Sequence, residues 1–491
     1  MSPHTQDAWD VIVVGGGPPG EIAAQYAHEG GLRTVIVEAE LLGGECSYWA
    51  CMPSKALLRP VEVLATAREV GGVREAVTGE LDVDAVLDRR DRFTHYHDDG
   101  SQFAWAEGIG LTVLRGRGRL DGERTVVVTS DDGRERRLTA RHAVVLATGS
   151  TAAIPPVPGL AEARPWTARD VTNLKGVPER VAILGGGVVA CEAAVWLHGL
   201  GAREVVVLER GERLLGATEP FASELVAARF AELGIDVRTK ASVEEVRRGP
   251  VDSIREGVPR GRDVTLVVDG EELVVEELVV AAGRRPRTSD LGLETIGLEG
   301  GRYLETDDHL AVCGVDGDWL YAVGDVSGRA LLTHMGKYHG RICGAVIAAR
   351  ARGTSVDAPR FRASADHGQV PQVSFTDPEV ASVGLTEAAA VDAGLRVRTA
   401  EVDLAGVAGV SLLRDDAAGR AKLVADAHAG VLVGATFAGP AVGELVHAAT
   451  VAIVGRVPLE ALWHAVPSYP TASEAWIGLL QQLRDGDGRI A

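Results

Sequence analysis

Residues 11–20 read Val-Ile-Val-Val-Gly-Gly-Gly-Pro-Pro-Gly, a short apolar run that ends in a glycine-rich turn. An uninterrupted run of β-branched residues is typical of a buried parallel strand. An alanine-rich helix is predicted next, and the following apolar run ends at Glu38. This is Gly-x-Gly-x-x-Gly between a strand and a helix, with an acid about 20 residues further on. We therefore predict a Rossmann-like dinucleotide site, where Gly15, Gly17 and Gly20 approach a pyrophosphate and Glu38 binds a ribose.

The same unit recurs at residues 180–190, which read Arg-Val-Ala-Ile-Leu-Gly-Gly-Gly-Val-Val-Ala before a predicted helix and a strand ending at Glu209. Two complete fingerprints predict two dinucleotides, so that one can pass electrons to the other. Glu209 favours NAD(H) over NADP(H), because a carboxylate repels a 2′-phosphate. Arg203 and Arg210 lie close enough in sequence to leave NADP(H) open. The residues expected to bind at this site are Gly185, Gly187 and Glu209.

Two cysteines follow the first fingerprint, in residues 43–55, which read Gly-Gly-Glu-Cys-Ser-Tyr-Trp-Ala-Cys-Met-Pro-Ser-Lys. Pro53 suits the first turn of a helix that is predicted to start here. Five helical residues rotate by about 500°, so if Cys46 and Cys51 form a disulfide, the chain around Cys46 must be a loop or a distorted turn. Cys51 would lie at the positive end of the helix dipole, where the pKa of a thiol falls. The pair is a candidate redox device.

Composition excludes several classes of protein. With 491 residues the chain is too long for one core, so three or four domains are expected. The formal charge of −19 argues against nucleic acid or an anionic membrane as a partner. Five cysteines are too few for a secreted disulfide scaffold, and no apolar run reaches the roughly 18–20 residues of a membrane span. The start from Ser2 to Asp10 lacks the features of a targeting segment, so a cytoplasmic location is expected.

Other strand ends extend the pattern. Three more buried strands are predicted, which end at Thr148-Gly149, at Gly283 and at Gly324-Asp325. Because ligands of open α/β sheets bind at the carboxyl ends of strands, Asp325 is a candidate binding residue, although a cap or turn role is the commoner use of such an acid. From about residue 360, antiparallel strands and helices over 443–453 and 472–483 indicate an α+β domain. It has no phosphate loop, which favours a role in assembly.

These motifs match one family along nearly the whole chain. The sequence resembles the class I pyridine nucleotide–disulfide oxidoreductases, which include dihydrolipoamide dehydrogenase, glutathione reductase, mycothione reductase and mercuric reductase. Residues 43–55 fit the family segment Gly-Gly-x-Cys-x-x-x-x-Cys-x-Pro-Ser-Lys, which carries a redox disulfide. The resemblance implies FAD at the first fingerprint, NAD(P)H at the second, and a homodimer joined by the last domain.

The resemblance also implies roles for single residues. Cys46 looks like the interchange thiol that meets the substrate, and Cys51 looks like the charge-transfer thiol beside the flavin. Lys55 matches a lysine that approaches the flavin and pairs with a glutamate, here Glu192. No metal site is expected, since no second Cys/His pair lies near the cysteines at ligand spacing. The residues expected to bind cofactor are Gly15, Gly17, Gly20, Glu38, Lys55, Gly116 (at the adenine), Thr148, Gly149, Gly185, Gly187, Glu192, Glu209, Gly283 and Asp325 (at the ribityl and pyrophosphate).

The chain departs from the family near its C-terminus. Disulfide-reducing members carry His-Pro-Thr-x-x-Glu, where the histidine acts as acid/base at the partner subunit's disulfide and the glutamate orients it. Here Tyr469 holds the histidine position, while Glu474 keeps the glutamate. A phenol with a pKa near ~10 accepts protons poorly at pH 7, so disulfide interchange is expected to be slow unless Tyr469 is perturbed or His464 takes over.

Two comparisons within the family sharpen the departures. Mercuric reductases also carry a tyrosine in this region, but they have adjacent cysteines close to the C-terminus, whereas the last cysteine here is Cys343. Glu45 stands where a small hydroxyl residue is usual. Its charge is expected to raise the pKa of the Cys46 thiol and to oppose anionic substrates.

The sequence thus predicts an α/β fold with two Rossmann-like dinucleotide-binding domains and a C-terminal α+β dimerisation domain. The predicted function is an FAD-dependent oxidoreductase that passes electrons from NAD(P)H through FAD and the Cys46–Cys51 disulfide to a small disulfide or dithiol substrate. The alternatives are reduction of a quinone, a metal ion or another electrophile without a histidine, and a redox-sensing flavoprotein without turnover. The predicted domains are an FAD-binding domain (1–155), an NAD(P)-binding domain (156–285), a central domain (286–360) and an interface domain (361–491).

Overall fold

The computed structural model describes residues 7–251 and 254–485. Residues 2–6, on which part of the targeting argument rested, lie outside this range. Within it, none of the helices combines the length and the apolar composition that a bilayer crossing requires.

The described residues alternate between strands and helices over most of their length. The strands are β1 (Ala8–Val14), β2 (Thr34–Glu38), β3 (Thr112–Arg115), β4 (Arg117–Leu120), β5 (Thr125–Thr129), β6 (Glu135–Leu146), β7 (Ser150–Ala152), β8 (Arg180–Leu184), β9 (Glu204–Glu209), β10 (Asp236–Thr239), β11 (Val243–Arg248), β12 (Val264–Val268), β13 (Glu271–Val275), β14 (Glu277–Val280), β15 (Arg284–Pro286), β16 (Leu320–Ala322), β17 (Pro371–Ser374), β18 (Glu379–Gly384), β19 (Val397–Asp403), β20 (Arg420–Asp426) and β21 (Val431–Gly439). The α-helices are α1 (Pro18–Glu29), α2 (Gly44–Tyr48), α3 (Cys51–Arg68), α4 (Val83–Phe93), α5 (Gly100–Gly108), α6 (Ala168–Thr172), α7 (Val188–Gly199), α8 (Pro220–Leu233), α9 (Thr333–Ala351), α10 (Glu387–Asp392), α11 (Ala408–Ser411), α12 (Val446–Val454), α13 (Leu459–Leu462) and α14 (Ala475–Asp485).

The chain divides into two compact units, each assembled from three stretches of sequence. The first holds the residues up to Pro53 together with 91–153 and 284–366, and the second holds 54–90, 154–283 and the residues from 367 onward. The four-domain division of the sequence stays a prediction.

The first unit is built on a seven-stranded sheet in the order β3-β2-β1-β6-β5-β4, with β16 beside β6. β1 lies parallel to both β2 and β6, so a crossover must carry the chain from β1 to β2, and α1 provides it. Alternate residues of β1 enter different apolar clusters: Val11 and Val13 pack on one face, Ile12 and Val14 on the other. Burial on both faces explains the continuous apolar run in the sequence.

Helix α9 packs closely against α1 in the first unit. A Cβ on Gly340 would lie 2.4 Å from the carbonyl oxygen of Pro19, and one on Gly344 would lie 2.6 Å from that of Ala23. Only glycine fits at such distances, so these two positions set how closely the helices approach. The contact holds α1 and α9 together, and the first turns of both helices carry residues of the candidate site described below.

The described residues of the second unit form three sheets. A parallel sheet runs β10-β9-β8-β14, an antiparallel one runs β11-β12-β13, and a five-stranded antiparallel sheet runs β17-β18-β21-β20-β19. Helix α14 packs its apolar residues into the core of the last sheet, where the ring centroids of Trp476 and Phe437 lie 6.3 Å apart. The two predicted βαβ units and the C-terminal α+β segment are therefore confirmed.

Some element predictions were wrong in detail. The sequence from Lys55 into the 90s predicts a helical stretch, which is interrupted in the structure, because α3 ends at Arg68 and α4 begins at Val83. Gly72 between them has φ +88°, a left-handed conformation that a helix does not continue through. Strands β18 and β19 were not predicted, although the first alternates buried and partly buried residues.

Candidate active site

The first fingerprint forms a tight turn with an open helix N-terminus. A Cβ on Gly15 would lie 2.4 Å from the carbonyl oxygen of Ala147, and one on Gly20 would lie 2.0 Å from that of Gly15. Gly17, the N-cap of α1, has no neighbour closer than 3.9 Å to such a Cβ, and no side chain caps the helix. The turn therefore leaves space for an anion, and the dipole of the helix favours a negative charge there. Both properties fit the pyrophosphate of a dinucleotide.

Glu38 is held at the end of β2 by backbone donors. Its Oε2 accepts a hydrogen bond from the N–H of Gly16 at 2.6 Å, and its Oε1 accepts one from the N–H of Glu40 at 2.6 Å. Burial raises the pKa of this carboxyl. Each carboxylate oxygen keeps a second lone pair, so the pre-oriented group can still accept from a ribose hydroxyl pair.

The second fingerprint repeats this geometry in the other unit. A Cβ on Gly185 would lie 2.5 Å from the carbonyl oxygen of Ala281, and Gly187 caps α7 with no side-chain hydrogen bond and open space around it. Glu209 accepts a hydrogen bond from the N–H of Gly211, which holds its carboxylate close to the turn. A Cβ on Gly186 would lie 2.8 Å from the Cγ of Glu209. This site also fits a dinucleotide.

Arg203 forms an exposed ion pair near the second fingerprint. Its guanidinium lies 3.3 Å from the carboxylate of Glu179. The pair weakens the case that Arg203 admits NADP(H), and an effect of Arg203 and Arg210 on the choice of nucleotide stays a prediction. Gly283, the other residue predicted here, has φ +117°, and a Cβ on it would meet no atom within 4 Å.

Asp325 lies in a short 3-10 turn after β16 and belongs to a polar network. Its carboxylate accepts a hydrogen bond from the hydroxyl of Ser150 and lies 3.6 Å from the guanidinium of Arg284. Arg284 in turn donates to the Ser150 hydroxyl at 2.6 Å. These contacts join β7, β15 and the turn that carries Asp325 within the first unit. The carboxylate is thus part of an ion-pair network and not a helix cap.

The remaining predicted cofactor-binding residues of the first unit form hydrogen bonds at the ends of its strands. The Thr148 hydroxyl donates to the carbonyl oxygen of Arg287 at 3.0 Å, and the carbonyl of Gly149 accepts from the Arg287 N–H at 3.0 Å. Gly116 donates its N–H to the carbonyl of Glu38 at 2.9 Å. Their expected contacts with FAD stay predictions.

Pro19 connects the fingerprint to two other parts of the site. A Cβ on Gly324 would lie 2.6 Å from the Cγ of Pro19, and one on Gly336 would lie 2.5 Å from the same atom. The proline ring thus fills a niche between the residue preceding Asp325 and the first turns of α9. The fingerprint helix, Asp325 and the start of α9 are therefore held together by packing.

The two cysteines stand on two separate helices. Cys46 lies within the short helix α2, and Cys51 is the first residue of α3. The break falls at Trp49, whose φ of −132° ends α2. Both cysteines are free thiols here, so the expectation of a loop or distorted turn around Cys46, which applied to a disulfide, stays a prediction. The helical rotation is interrupted between two helices, and the two thiols are hydrogen-bonded to each other.

A threonine that sequence reasoning missed touches both thiols. Thr333 is the first residue of α9, and its Oγ1 lies 3.3 Å from the Sγ of Cys51. The same hydroxyl forms a hydrogen bond with Cys46. No motif spacing links position 333 to the cysteines, although the Leu-Leu-Thr sequence marks the start of a helix. The fold alone brings them together.

The environment distinguishes the two sulfurs. The hydrogen bond to Cys51 raises the pKa of Cys46 well above its usual range, and burial and the charge of Cys51 act in the same direction. The hydroxyl of Thr333 and the ammonium of Lys337 oppose this shift. The contacts with Cys51 and the burial of the sulfur therefore favour the protonated form of Cys46.

Glu45 is paired with an arginine. Its carboxylate lies 2.9 Å from the guanidinium of Arg287, whose other amino group lies 3.6 Å from Glu40. The charge of Glu45 is therefore compensated locally. The pKa of Cys46 is raised, as predicted, and its largest causes are Cys51 and burial; the contribution of Glu45 stays a prediction. Arg287 was missed because nothing in its Gly-Arg-Arg-Pro-Arg context points to residue 45.

Lys55 and Glu192 form the ion pair that the resemblance implied. The Lys55 ammonium lies 2.7 Å from Oε2 of Glu192, whose side chain is only 4% exposed. The other oxygen of Glu192 accepts a hydrogen bond from the backbone N–H of Phe375 at 3.0 Å. The ammonium also lies 4.8 Å from the centre of the Phe375 ring, within range of a cation–π contact. All three residues belong to the second unit.

Tyr469 is exposed, with 78% of its surface accessible, and His464 is exposed as well. Glu474, in contrast, has a buried Oε2 without a hydrogen-bond partner among the described residues. An acceptor of this kind costs about 1–3 kcal/mol when it is left unsatisfied. The glutamate position of the family motif is thus retained with an open acceptor, and no described residue takes the histidine's place there.

A buried carboxyl near the first fingerprint was also missed. Glu21, in the first turn of α1, is 8% exposed, and burial raises its pKa to about 7, against the ammonium of Lys337. Its position directly after the fingerprint glycine was the available signal. Among the described residues, no group of three or more His, Cys, Asp or Glu side chains is arranged to hold a metal ion.

Comparison with known proteins gives consistent results. The sequence pattern of the pyridine nucleotide-disulphide oxidoreductases matches residues 9–350, and that of their dimerisation domain matches residues 370–479. A dihydrolipoyl dehydrogenase of Chlorobaculum tepidum is 33% identical over 95% of both chains. A mercuric reductase of Staphylococcus aureus is 29% identical over 95% of this chain and 81% of its own. The HOCl-induced flavoprotein disulfide reductase RclA from Escherichia coli has the same fold, with a TM-score of 0.80 at 20% identity over 97% of this chain and all of its own.

Proposed function

Because the chain belongs to the class I pyridine nucleotide–disulfide oxidoreductase family, we propose that Cys46 and Cys51 are its working dithiol–disulfide pair and reduce a small disulfide. Membership makes the chain a flavoprotein oxidoreductase that acts on sulfur groups and uses FAD and NAD(P). The observation that carries the proposal is the contact of both thiols with each other and with Thr333. We infer a homodimer from the dimerisation domain.

The two fingerprints divide the cofactors between them. We assign FAD to the turn at Gly15–Gly20 with Glu38 and Asp325, and the nicotinamide nucleotide to the turn at Gly185–Gly187 with Glu209. When bound, FAD supplies a two-electron carrier between NAD(P)H and the disulfide. The Lys55–Glu192 pair keeps an ammonium charge fixed in the second unit. The chain's own residues account for the steps at sulfur.

In the reduced pair, Cys51 holds the negative charge and Cys46 holds the proton. The hydrogen bond between the sulfurs lets Cys51 take the proton of Cys46, which makes the Cys46 thiolate without an external base. The Cys46 thiolate then attacks one sulfur of the substrate disulfide, and the first substrate thiolate leaves and takes the proton from Cys51. The Cys51 thiolate attacks the Cys46 sulfur of the mixed disulfide and displaces the second substrate thiolate, which takes a proton from solvent. The Cys46–Cys51 disulfide forms, and the substrate gains two electrons and two protons.

A second acceptor class is favoured by the absence of a histidine at position 469. Tyr469 is a poor base at neutral pH, so protonation of a leaving thiolate depends on solvent. An acceptor that takes electrons without a thiolate leaving group does not need such a base. Quinones, metal ions and other electrophiles belong to this class, and they are the second candidate function.

Anaerobic titration with NADH followed by an acceptor panel tests the proposal. We expect two electrons per site to enter the disulfide, with a long-wavelength absorption band; a wild-type protein without the band would refute the working pair. The panel then compares lipoamide, mycothiol disulfide and glutathione disulfide with quinones and metal ions, in wild type and Cys46→Ser. Disulfide reduction that disappears in Cys46→Ser supports the first candidate. Quinone reduction that survives the substitution supports the second candidate. A protein that binds nucleotide but turns over none of the acceptors would be interpreted as a redox sensor.

A further inference from the structure

The hydroxyl of Thr333 is placed between the two sulfurs of the active pair. Its Oγ1 lies 3.3 Å from the Sγ of Cys51 and forms a hydrogen bond with Cys46. A hydroxyl has one proton to donate and two lone pairs to accept with. Thr333 can therefore donate its proton to only one sulfur at a time. Rotation about its Cα–Cβ and Cβ–Oγ1 bonds determines which of the two sulfurs receives the hydrogen bond.

Helix geometry favours an anion at the same point. Thr333 begins the 19-residue helix α9, whose N-cap residue Leu332 provides no side-chain hydrogen bond to the first turn. Cys51 is itself the first residue of α3. The Cys51 sulfur thus lies near the positive ends of two helix dipoles, each of which favours a thiolate over a thiol.

We propose that Thr333 is a positioning residue that donates its hydrogen bond to whichever of Cys46 and Cys51 carries the negative charge. The inference rests on the proposed function and deepens it. When the proton of Cys46 passes to Cys51, the charge moves from Cys51 to Cys46 and no electrons are transferred. The hydroxyl then turns from Cys51 to Cys46, so the attacking thiolate is stabilised without a histidine at position 469.

The position of Thr333 is fixed by packing that does not involve the sulfurs. Gly336, one turn along α9, accommodates the Pro19 ring, and Gly340 contacts the backbone of the same proline. The start of α9 therefore stays in place when the Thr333 side chain is changed. This rigidity makes the hydroxyl separable from the fold in a mutational test.

Thiol alkylation tests the proposal without substrate or NADH. The purified holoprotein is reduced, treated with iodoacetamide between pH 5 and pH 10, and digested, so that mass spectrometry gives the rate at each cysteine. Thr333→Val keeps the shape and removes the hydroxyl, and Thr333→Ser keeps the hydroxyl. In Thr333→Val we expect alkylation of Cys46 at pH 7 to slow about tenfold, with its pH profile moved upward by about one unit, because a hydrogen bond to a charged group is lost. Thr333→Ser should stay within about twofold of wild type.

Two results would overturn the inference. Superimposable Cys46 profiles in wild type and Thr333→Val would mean that the hydroxyl does not stabilise the thiolate. If Thr333→Ser slows the alkylation of Cys46 as much as Thr333→Val does, the missing methyl group, and hence packing, would be the cause of the slower rate. If Thr333→Val loses FAD or stability, Thr333→Ala compared with Thr333→Ser gives the same contrast. If NADH does not reduce the Cys46–Cys51 disulfide, the proposed function is refuted. The alkylation profile does not depend on NADH, so the two failures can be distinguished.

Discussion

The ammonium of Lys55 lies 2.7 Å from the carboxylate of Glu192, and the two residues are 137 positions apart in the sequence. Glu192 is almost fully buried, and its second oxygen is held by the backbone of Phe375. A buried carboxylate is stable only while its charge is compensated. Lys55 supplies that compensation from helix α3, so the pair ties α3 to α7 within the second unit.

We predict that Lys55→Met destabilises the protein by about 2 kcal/mol, because it leaves the Glu192 charge buried and uncompensated. The double variant Lys55→Met, Glu192→Gln should recover part of this loss, since no charge is then buried alone. The measurement is the free energy of unfolding in urea. Arg59→Met, which breaks an exposed pair with Glu62 on the same helix, is the matched control and should change it by less than about 1 kcal/mol. Equal losses in the single and double variants would contradict the interpretation.

Position 469 is predicted to limit disulfide reduction. Tyr469→His introduces an imidazole whose pKa near ~6.5 suits proton transfer at pH 7. The buried Oε2 of Glu474 has an open lone pair that can orient it. Reduction of lipoamide or glutathione disulfide by NADH should rise at least about tenfold, within the range of general acid–base catalysis. Tyr469→Phe, which also removes the phenol but adds no base, serves as control; an equal gain there would rule out acid/base catalysis as the cause.

Glu21 is predicted to make stability depend on pH. Its folded pKa of about 7 lies above its unfolded value of 4.5. The folded protein therefore holds this proton more tightly, and the stabilisation is complete below pH 4.5 and is lost as pH rises through 7. The pKa difference corresponds to about 3 kcal/mol at pH 8. Glu21→Gln should accordingly raise the melting temperature at pH 8 more than at pH 5. Glu29→Gln, on the exposed face of the same helix, is the control, and parallel profiles for both variants would disprove the role of Glu21.

Glu209 is predicted to set the choice of nicotinamide nucleotide. Glu209→Gln keeps the size of the side chain and removes the charge that repels a 2′-phosphate. We expect the ratio of kcat/KM for NADPH to that for NADH to rise about tenfold, which corresponds to about 1.4 kcal/mol. Arg203→Ala should leave the ratio unchanged, because Arg203 is engaged with Glu179. If Arg203→Ala changes the ratio and Glu209→Gln does not, then Arg203 and not Glu209 sets the choice of nucleotide.

Local patterns in the sequence were sufficient for the fold and for the residues that belong to motifs. Gly15 and Gly20 are forced by contacts within one turn, so a short stretch of sequence reveals them. The Lys55–Glu192 pair followed from the family resemblance and is present in the structure. Short strands were harder, since β18 and β19 carry polar residues among their buried ones.

The residues that were missed are those that tertiary contacts bring to the site. Thr333 reaches Cys51 across 282 positions, and no period or motif connects them. The arginine that pairs with Glu45 was missed for the same reason, because Arg287 stands far along the chain. Electrostatic predictions from sequence count nearby charges, whereas the fold decides which charges meet.

The pairing of Glu45 with Arg287 has an evolutionary consequence. The two residues are 242 positions apart, yet they form an ion pair directly beside Cys46 in the sequence. Loss of Arg287 alone removes the cation that Glu45 and Glu40 share, so an acid at position 45 is tolerated best together with an arginine at position 287. Among proteins descended from a common ancestor with this one, positions 45 and 287 should therefore covary, with acid and arginine gained or lost as a pair.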